Sequence, residues 1–306
     1  MIAGALEPKD AARLMKAASY ASVGVAAALI AIKAGAYAAT DSAAMMASLV
    51  DSLLDIVASL INLFALRHAL EPADREHRFG HGKAEALAGL GQSAAIAGSS
   101  VFLLLESSER LLHPHAVKAG EIGIAVSLIA IALTYGLVLF QRHVAARTGS
   151  IVVMADSLHY VGDLLSNGAA ALAIVLGVAF GIVHADGIFC GLIGLYILVG
   201  SWSIFRKSYD MLMDHELPDA ERRRIGEVAT SHPEVKSFHD LRTRRAGAQI
   251  FIQLHIDLDP AMTLTRAHEI SDEVEARLCA AFPGAEVLIH QDPAGLAEAR
   301  STLAQG

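Results

Sequence analysis

TGSIVVMADSLHYVGDLLSN, residues 148–167, is the stretch whose reading decides the fold. It is otherwise apolar enough to cross a membrane, yet it carries Asp156, His159 and Asp163. One ionisable residue at the centre of a bilayer costs roughly 2.5–3.5 kcal/mol on insertion scales, so three together require partners that offset the cost. The stretch reads as half of a metal site inside a bundle of membrane helices, and the other half has to come from elsewhere in the chain.

That half lies in an earlier copy. Residues 40–55, TDSAAMMASLVDSLLD, overlay residues 148–163: Thr40 matches Thr148, Ser42 matches Ser150, Met46 and Ala47 match Met154 and Ala155, Asp51 falls on His159, and Asp55 on Asp163. The repeating unit is three apolar segments, and an odd number of spans gives the two copies opposite topology in the membrane. Asp51 and His159 each stand about ten residues into their spans, so at 1.5 Å per residue both sit roughly 15 Å deep, near the midplane. Within each span the paired residues are four apart, on one helix face. Asp51, Asp55, His159 and Asp163 can therefore converge as four N/O ligands, the number that tetrahedral Zn²⁺ or a similar divalent ion takes. A lone intramembrane Asp or His could equally be hydrogen-bonded structure; two matched pairs at one depth favour the metal. Asp156 stands where the first copy has Ser48, so it reads as a supporting or gating residue rather than a fifth ligand.

The rest of the chain agrees with a polytopic membrane protein. Of 306 residues 54% are hydrophobic and only 18% charged, too apolar for an ordinary soluble enzyme. Apolar segments at about 17–39, 43–66, 84–106, 120–141, 150–179 and 186–206 are each long enough for a hydrocarbon core of roughly 30 Å. The first invites comparison with a cleaved signal peptide, but it is longer than the usual apolar region, contains Lys33 and leads directly into another span, so it reads as retained. Lys9, Arg13, Lys16, Arg67, Arg75, Arg78, Lys83, Arg142, Arg147, Arg206 and Lys207 fall on one side, against Arg110 and Lys118 on the other. The positive-inside rule then places both termini in the cytoplasm.

Near Asp214 the composition changes, and the expected division is a six-helix membrane domain over 1–210 and a cytoplasmic domain over 211–306. Pro218 to Ser231 predicts a helix, Val235 to Arg245 and Gln249 to Asp259 two strands around an Ala246-Gly247-Ala248 turn, Thr265 to Phe282 a second helix, and Glu286 to His290 a last strand. The order αββαβ is a small α+β, metallochaperone-like open-faced sandwich. In the second strand Ile250, Ile252, Leu254, Ile256 and Leu258 alternate with Phe251, Gln253, His255 and Asp257, which puts His255 opposite the aliphatic face. The net charge of −8 comes with no basic stripe and no acidic tail, so nucleic acid is not an expected partner. Cys190 and Cys279 make neither a disulfide framework nor a thiolate cluster and read as packing residues.

Two further groups carry chemistry. Asp74, His77 and His81 form Asp-x-x-His-x-x-x-His between the second and third spans, which is either a metal ligand set or a solvated loop. Arg78 after His77 breaks the HExxH pattern and argues against a membrane metalloprotease. The tail holds His232, His239, His255, His268 and His290, with Asp292 after the last; spacing alone leaves open whether they converge or are scattered over the surface. His232 reads as helix-end surface. His113 and His115 read as solvent-exposed, His68, His143, His184 and His215 as lying near span ends, and Lys33 as snorkelling to the outer interface. Gly89, Gly91 and Gly98 would permit close helix contact.

Taken together, the Asp51/Asp55 and His159/Asp163 pairs, the loop EPADREHRFGHGKAEALAGL, the segment MADSLHYVGD, the strand FHDLRTR and the ending VLIHQDP resemble the cation diffusion facilitators over nearly the whole chain. The resemblance implies export of a divalent cation from the cytoplasm in exchange for protons, in the cytoplasmic (inner) membrane, by a homodimer held largely through its C-terminal domains. It raises Asp74, His77 and His81 to a second metal site. It also implies that His239, His255, His268, His290 and Asp292 form a binuclear cytoplasmic site that binds regulatory Zn²⁺. No organic cofactor and no catalytic residue are expected.

The chemistry of the midplane ligands is compatible with such exchange. Each must lose its proton before it binds metal, and protons on the empty ligands lower the cost of leaving them in lipid surroundings. One imidazole with three carboxylates suits Zn²⁺, tolerates Cd²⁺, Fe²⁺ or Co²⁺, and has no soft sulfur to favour Cu(I). A membrane-anchored metal sensor would need the tail histidines but not the midplane carboxylates. A metalloenzyme would need a base beside an open metal position, which Asp156 could supply in principle, though no substrate motif accompanies it.

Overall fold

The computed structural model describes residues 7–113, 121–182 and 184–295; His115 and Lys118 of the loop after the third span lie outside them. Six helices among the described residues are long and apolar enough to cross a membrane. They are α1 (Pro8–Thr40), α2 (Ala43–Ala69), α3 (Lys83–Leu112), α4 (Glu121–Thr148), α5 (Ile151–Phe180) and α6 (Ala185–Leu212). Each overlaps a segment expected from the sequence, and all but α5 extend beyond it into polar residues, because backbone hydrogen bonding continues past the apolar window until a cap or breaker intervenes. Pro8 opens α1, where a missing N–H costs nothing. Ser150 caps α5 by accepting from the Val153 N–H at 3.3 Å. Gly181, at φ 70°, closes it in the left-handed conformation.

The chain divides into two compact units, one running from Ala12 to Tyr209 and the other from Asp210 onward together with the residues up to Ala11. In the first, polar side chains tie helices where lipid offers no hydrogen bonds. Ser22 of α1, Ser59 of α2 and Tyr160 of α5 join through their hydroxyls at 2.9 and 3.0 Å. Glu85, buried at the start of α3, accepts from Ser150 Oγ and from the Val152 N–H at the start of α5, where the helix dipole favours a carboxylate. A Cβ at Gly89 would meet Ile151 and Ser208 at 2.5 Å, so this glycine lets α3 approach α5 and α6, while Gly91 and Gly98 have nothing within 4 Å. At the far end of α3, Arg110 binds Glu106 and reaches across to Asp186 of α6. Large apolar side chains such as Leu54, Phe102, Leu192 and Trp202 are exposed on the outside of the bundle, as a lipid-facing surface requires.

The second unit contains α7 (Asp219–Thr230), β1 (Ser237–Ala246), β2 (Gln249–Leu258), α8 (Leu264–Ala281) and β3 (Ala285–Pro293), in the expected αββαβ order. The sheet order is β1-β2-β3, with β1 antiparallel and β3 parallel to β2. Ile252, Leu254, Ile256 and Leu258 are buried as the alternation predicts and pack against Ile225 of α7 and Ile270 of α8. Phe251 is buried as well, although it points to the other face, because the Arg244 guanidinium lies 4.2 Å from its ring centre. The last strand is longer than Glu286–His290 and carries Asp292 inside the sheet, paired in register with Asp257.

His232 corrects an expectation. It is buried, its Nε2 lying 3.0 Å from Glu273 Oε2 of α8 and its Nδ1 accepting from the Glu234 N–H at 3.2 Å. The α7–β1 connection passes over α8, so this histidine is a buried tie where the sequence suggested surface. Lys33 is tied to α2: its Nζ donates to the Ser48 carbonyl at 3.1 Å and to Ser52 Oγ at 2.7 Å.

Candidate metal centre

The helical cluster is built by the face of α2 that carries Asp55 and the face of α5 that carries His159 and Asp163. His159 Nε2 lies 3.0 Å from Asp55 Oδ1 and 3.8 Å from Asp163 Oδ2. One ligand atom from each of Asp55, His159 and Asp163 falls within a 4.8 Å circle of mutual distances. This spacing is compact enough for a single ion to draw the three together at bond lengths of about 2.0–2.2 Å. Asp51, one turn before Asp55, is not gathered into this triad; it lies within electrostatic reach of Asp163, as does Lys33. Asp156 faces elsewhere. Its carboxylate is buried and accepts from Asn62 Nδ2 at 3.0 Å and from Gln141 Nε2, so it braces α2, α4 and α5 behind the ligands. Asn62 was not singled out from the sequence, though its place two turns after Asp55 put it on the same face.

In the loop between α2 and α3, Asp74, His77 and His81 also present ligand atoms within 4.8 Å of one another. Asp74 organises the turn: its Oδ1 accepts from the backbone N–H groups of His77 at 2.6 Å and Glu76 at 2.8 Å. The His77 N–H holds the Asp74 carboxyl below its ordinary range, so it stays an anion without any metal. His81 is buried and reaches Asp74 Oδ2 from Nε2 at 3.3 Å.

The sheet cluster is a product of register. His239 of β1 stands opposite His255 of β2, and His255 opposite His290 of β3, so the three imidazoles form one row across the sheet. Asp292 is buried among them: Oδ2 lies 2.7 Å from His255 Nδ1 and 3.3 Å from His239 Nε2, and Oδ1 lies 3.1 Å from His290 Nε2. A bulge follows His239, with Asp240 at φ 48°, and beside the row a recess of about 190 Å³ opens between Arg242, Gln253, His255 and His290. His239, His255 and Asp292 meet the spacing for a shared ion. His268 does not join them; it is exposed on α8, with Asp272 3.6 Å away.

Two families of carboxylate and imidazole ligands, one in the span bundle and one in the sheet, narrow the comparison to metal-handling membrane proteins. Residues 19–213 match the "Cation efflux transmembrane domain" and residues 217–294 the "Cation efflux protein, cytoplasmic domain". The chain belongs to the cation efflux family. It is a multi-pass membrane protein with a small C-terminal α+β domain, as the sequence implied. It is 48% identical to the cation-efflux pump FieF of Pectobacterium carotovorum, over 92% of this chain and 94% of the relative. The FieF of Shewanella oneidensis is 49% identical over 91% of this chain and 94% of its own length. Among solved structures, the nickel form of a MamM CTD is 31% identical, covering 25% of this chain and 98% of that one, with a TM-score of 0.24.

Proposed function

We propose that this protein exports a divalent metal cation, Zn²⁺ foremost and Cd²⁺, Fe²⁺ or Co²⁺ as alternatives, from the cytoplasm in exchange for protons. Asp55, His159 and Asp163 hold the ion, Asp51 closes onto it from one turn away as the fourth ligand, and alternating access follows from the two inverted copies of the three-helix unit. The observation that carries the reading is the convergence of Asp55, His159 and Asp163 from equivalent places in the two copies, inside spans where unpartnered charge is costly. Metal and protons compete for the same lone pairs, which is the minimum that antiport requires. The protein sits in the cytoplasmic membrane with both termini inside and works as a homodimer through the domain over 211–306, while 1–210 carries transport. Asp74, His77 and His81 bind metal at the cytoplasmic loop. His239, His255, His290 and Asp292 bind the regulatory Zn²⁺, and His268, exposed on α8, stands outside that set.

Asp156 is a poor general base for a metalloenzyme, since both of its oxygens already accept from buried amides. Sealed vesicles with an imposed pH gradient test the proposal. Wild-type protein is expected to move Zn²⁺ and protons in opposite directions, and Asp163→Ala to abolish both fluxes; an Asp163→Ala protein that carries Zn²⁺ at the wild-type rate would sink it. Replacing His159 by Asp leaves an all-oxygen site, and the ratio of Zn²⁺ to Mn²⁺ transport is then expected to fall.

A further inference from the structure

His81 has a second face. Its Nδ1 is buried and has no hydrogen-bond partner, although a buried polar atom left unpaired costs about 1–3 kcal/mol. The ring lies between two others, with centres 4.6 Å from that of His77 and 4.6 Å from that of His68. His68 belongs to the last turn of α2 and pairs with Glu71 just beyond it, Nδ1 to Oε2 at 2.8 Å. Ligand atoms of His68, Glu71 and His81 all lie within 4.8 Å of one another, the same spacing that Asp74, His77 and His81 show. The C-terminal carbonyls of α2 add a partial negative charge at this point. Nothing in the Asp74 turn uses His68 or Glu71, and no part of the antiport reading requires them.

We propose that His68, Glu71 and His81 form an additional divalent-cation seat that overlaps the Asp74, His77 and His81 seat, with His81 common to both. A neutral imidazole has a single lone pair to give, so the seats exclude each other: the loop holds one ion, and it passes from one ligand pair to the other around His81. The mixed imidazole and carboxylate set suits Zn²⁺, as in the other seat. His68 and Glu71 are more than half exposed, so the outer seat is the one an arriving ion meets first. This role in entry rests on the export reading; the existence of the seat does not.

Equilibrium dialysis of full-length protein in detergent against Zn²⁺ tests it, in a background carrying Asp163→Ala and Asp292→Ala to weaken the other clusters. Adding Asp74→Ala and His77→Ala is expected to leave the loop ion bound, and adding His68→Ala and Glu71→Ala to that protein is expected to remove one ion per chain. The proposal is overturned if Asp74→Ala with His77→Ala already removes the loop ion, or if the further pair changes nothing. Both members of that pair are surface residues, and an unchanged elution volume and thermal midpoint establish that the variant is folded. In vesicles, His68→Ala with Glu71→Ala alone is expected to raise the half-saturating Zn²⁺ about tenfold without altering the maximal rate. An unchanged half-saturation overturns the entry role. Failure of the export reading registers separately, as undiminished flux through Asp163→Ala.

Discussion

The helical and sheet clusters reach similar chemistry by different backbone rules. In the bundle, α2 and α5 each contribute from a single face, and the ligands meet because two helices from equivalent places in a repeat pack together. In the sheet, three strands contribute one histidine each at the same register position, and a single carboxylate, Asp292, touches all three. Helical ligands are thus held by long-range packing and can separate as helices shift, whereas sheet ligands are held by a hydrogen-bonded ladder that fixes their spacing. The first arrangement suits an ion that must be released, and the second an ion that stays.

The largest expected effect separates the two clusters. His159→Ala should lower Zn²⁺ flux by at least about 100-fold, since it removes the ligand between Asp55 and Asp163, while leaving Zn²⁺ binding by the sheet intact in dialysis. A variant that lost both would show the clusters to be one coupled system. Next, Asp292→Ala should weaken the sheet's Zn²⁺ binding by about 10–100-fold, because every histidine of the row loses its partner at once, with a smaller change in flux. Gly226→Ala probes the ladder itself. A Cβ there would sit 2.4 Å from the Phe238 ring, so the substitution should cost about 1–3 kcal/mol of stability and disturb His239, the next residue of β1. Thermal unfolding followed by circular dichroism reads the cost, and dialysis reads the binding.

The smallest effect concerns a pair at the edge of the same domain. Arg266 donates to Glu234 and holds its carboxyl below the ordinary value of 4.5. A carboxyl depressed on folding adds stability above its unfolded pKa and loses it as pH falls through the folded one. Wild type should therefore unfold slightly later than Glu234→Gln at pH 7, and the two should converge in acid. The pair is solvent-exposed, so the shift is expected to be slight. Should it persist in strong acid, the ion pair is not its cause.

What could be read from the sequence follows from the same contrast. Helical period and span length place the six spans among the described residues, and the repeat with its matched depth and four-residue spacing brings Asp55 toward His159 and Asp163. Counting along a helix says which face a residue takes but not how far two helices are rotated against each other, so Asp51 came out beside the triad and not in it. Strand alternation predicted the face of His255; the row of three depended on the pairing partners and on the bulge after His239, neither of which a pattern of apolar residues encodes. His232 and Lys33 take their partners for one reason. A polar side chain near the end of an element goes to whichever acceptor the tertiary packing brings nearest, here Glu273 and Ser52. From the sequence His68 reads only as a span-end residue, because its partners lie on both sides of the α2 terminus, where an i,i+3 neighbour and a loop histidine meet.

Lys33 has a consequence for which ions the bundle can carry. It stands within electrostatic reach of Asp163, held by α2 rather than by solvent. With Asp51, Asp55 and Asp163 ionised, and with His159 and a protonated Asp156 both neutral, the formal charge of the group including Lys33 is −2. One divalent cation makes it neutral. A monovalent ion leaves an anion, and a trivalent ion a cation, inside spans where either is costly. Valence is thereby sorted by arithmetic before coordination geometry acts, and removing the Lys33 charge would shift the balance point by one.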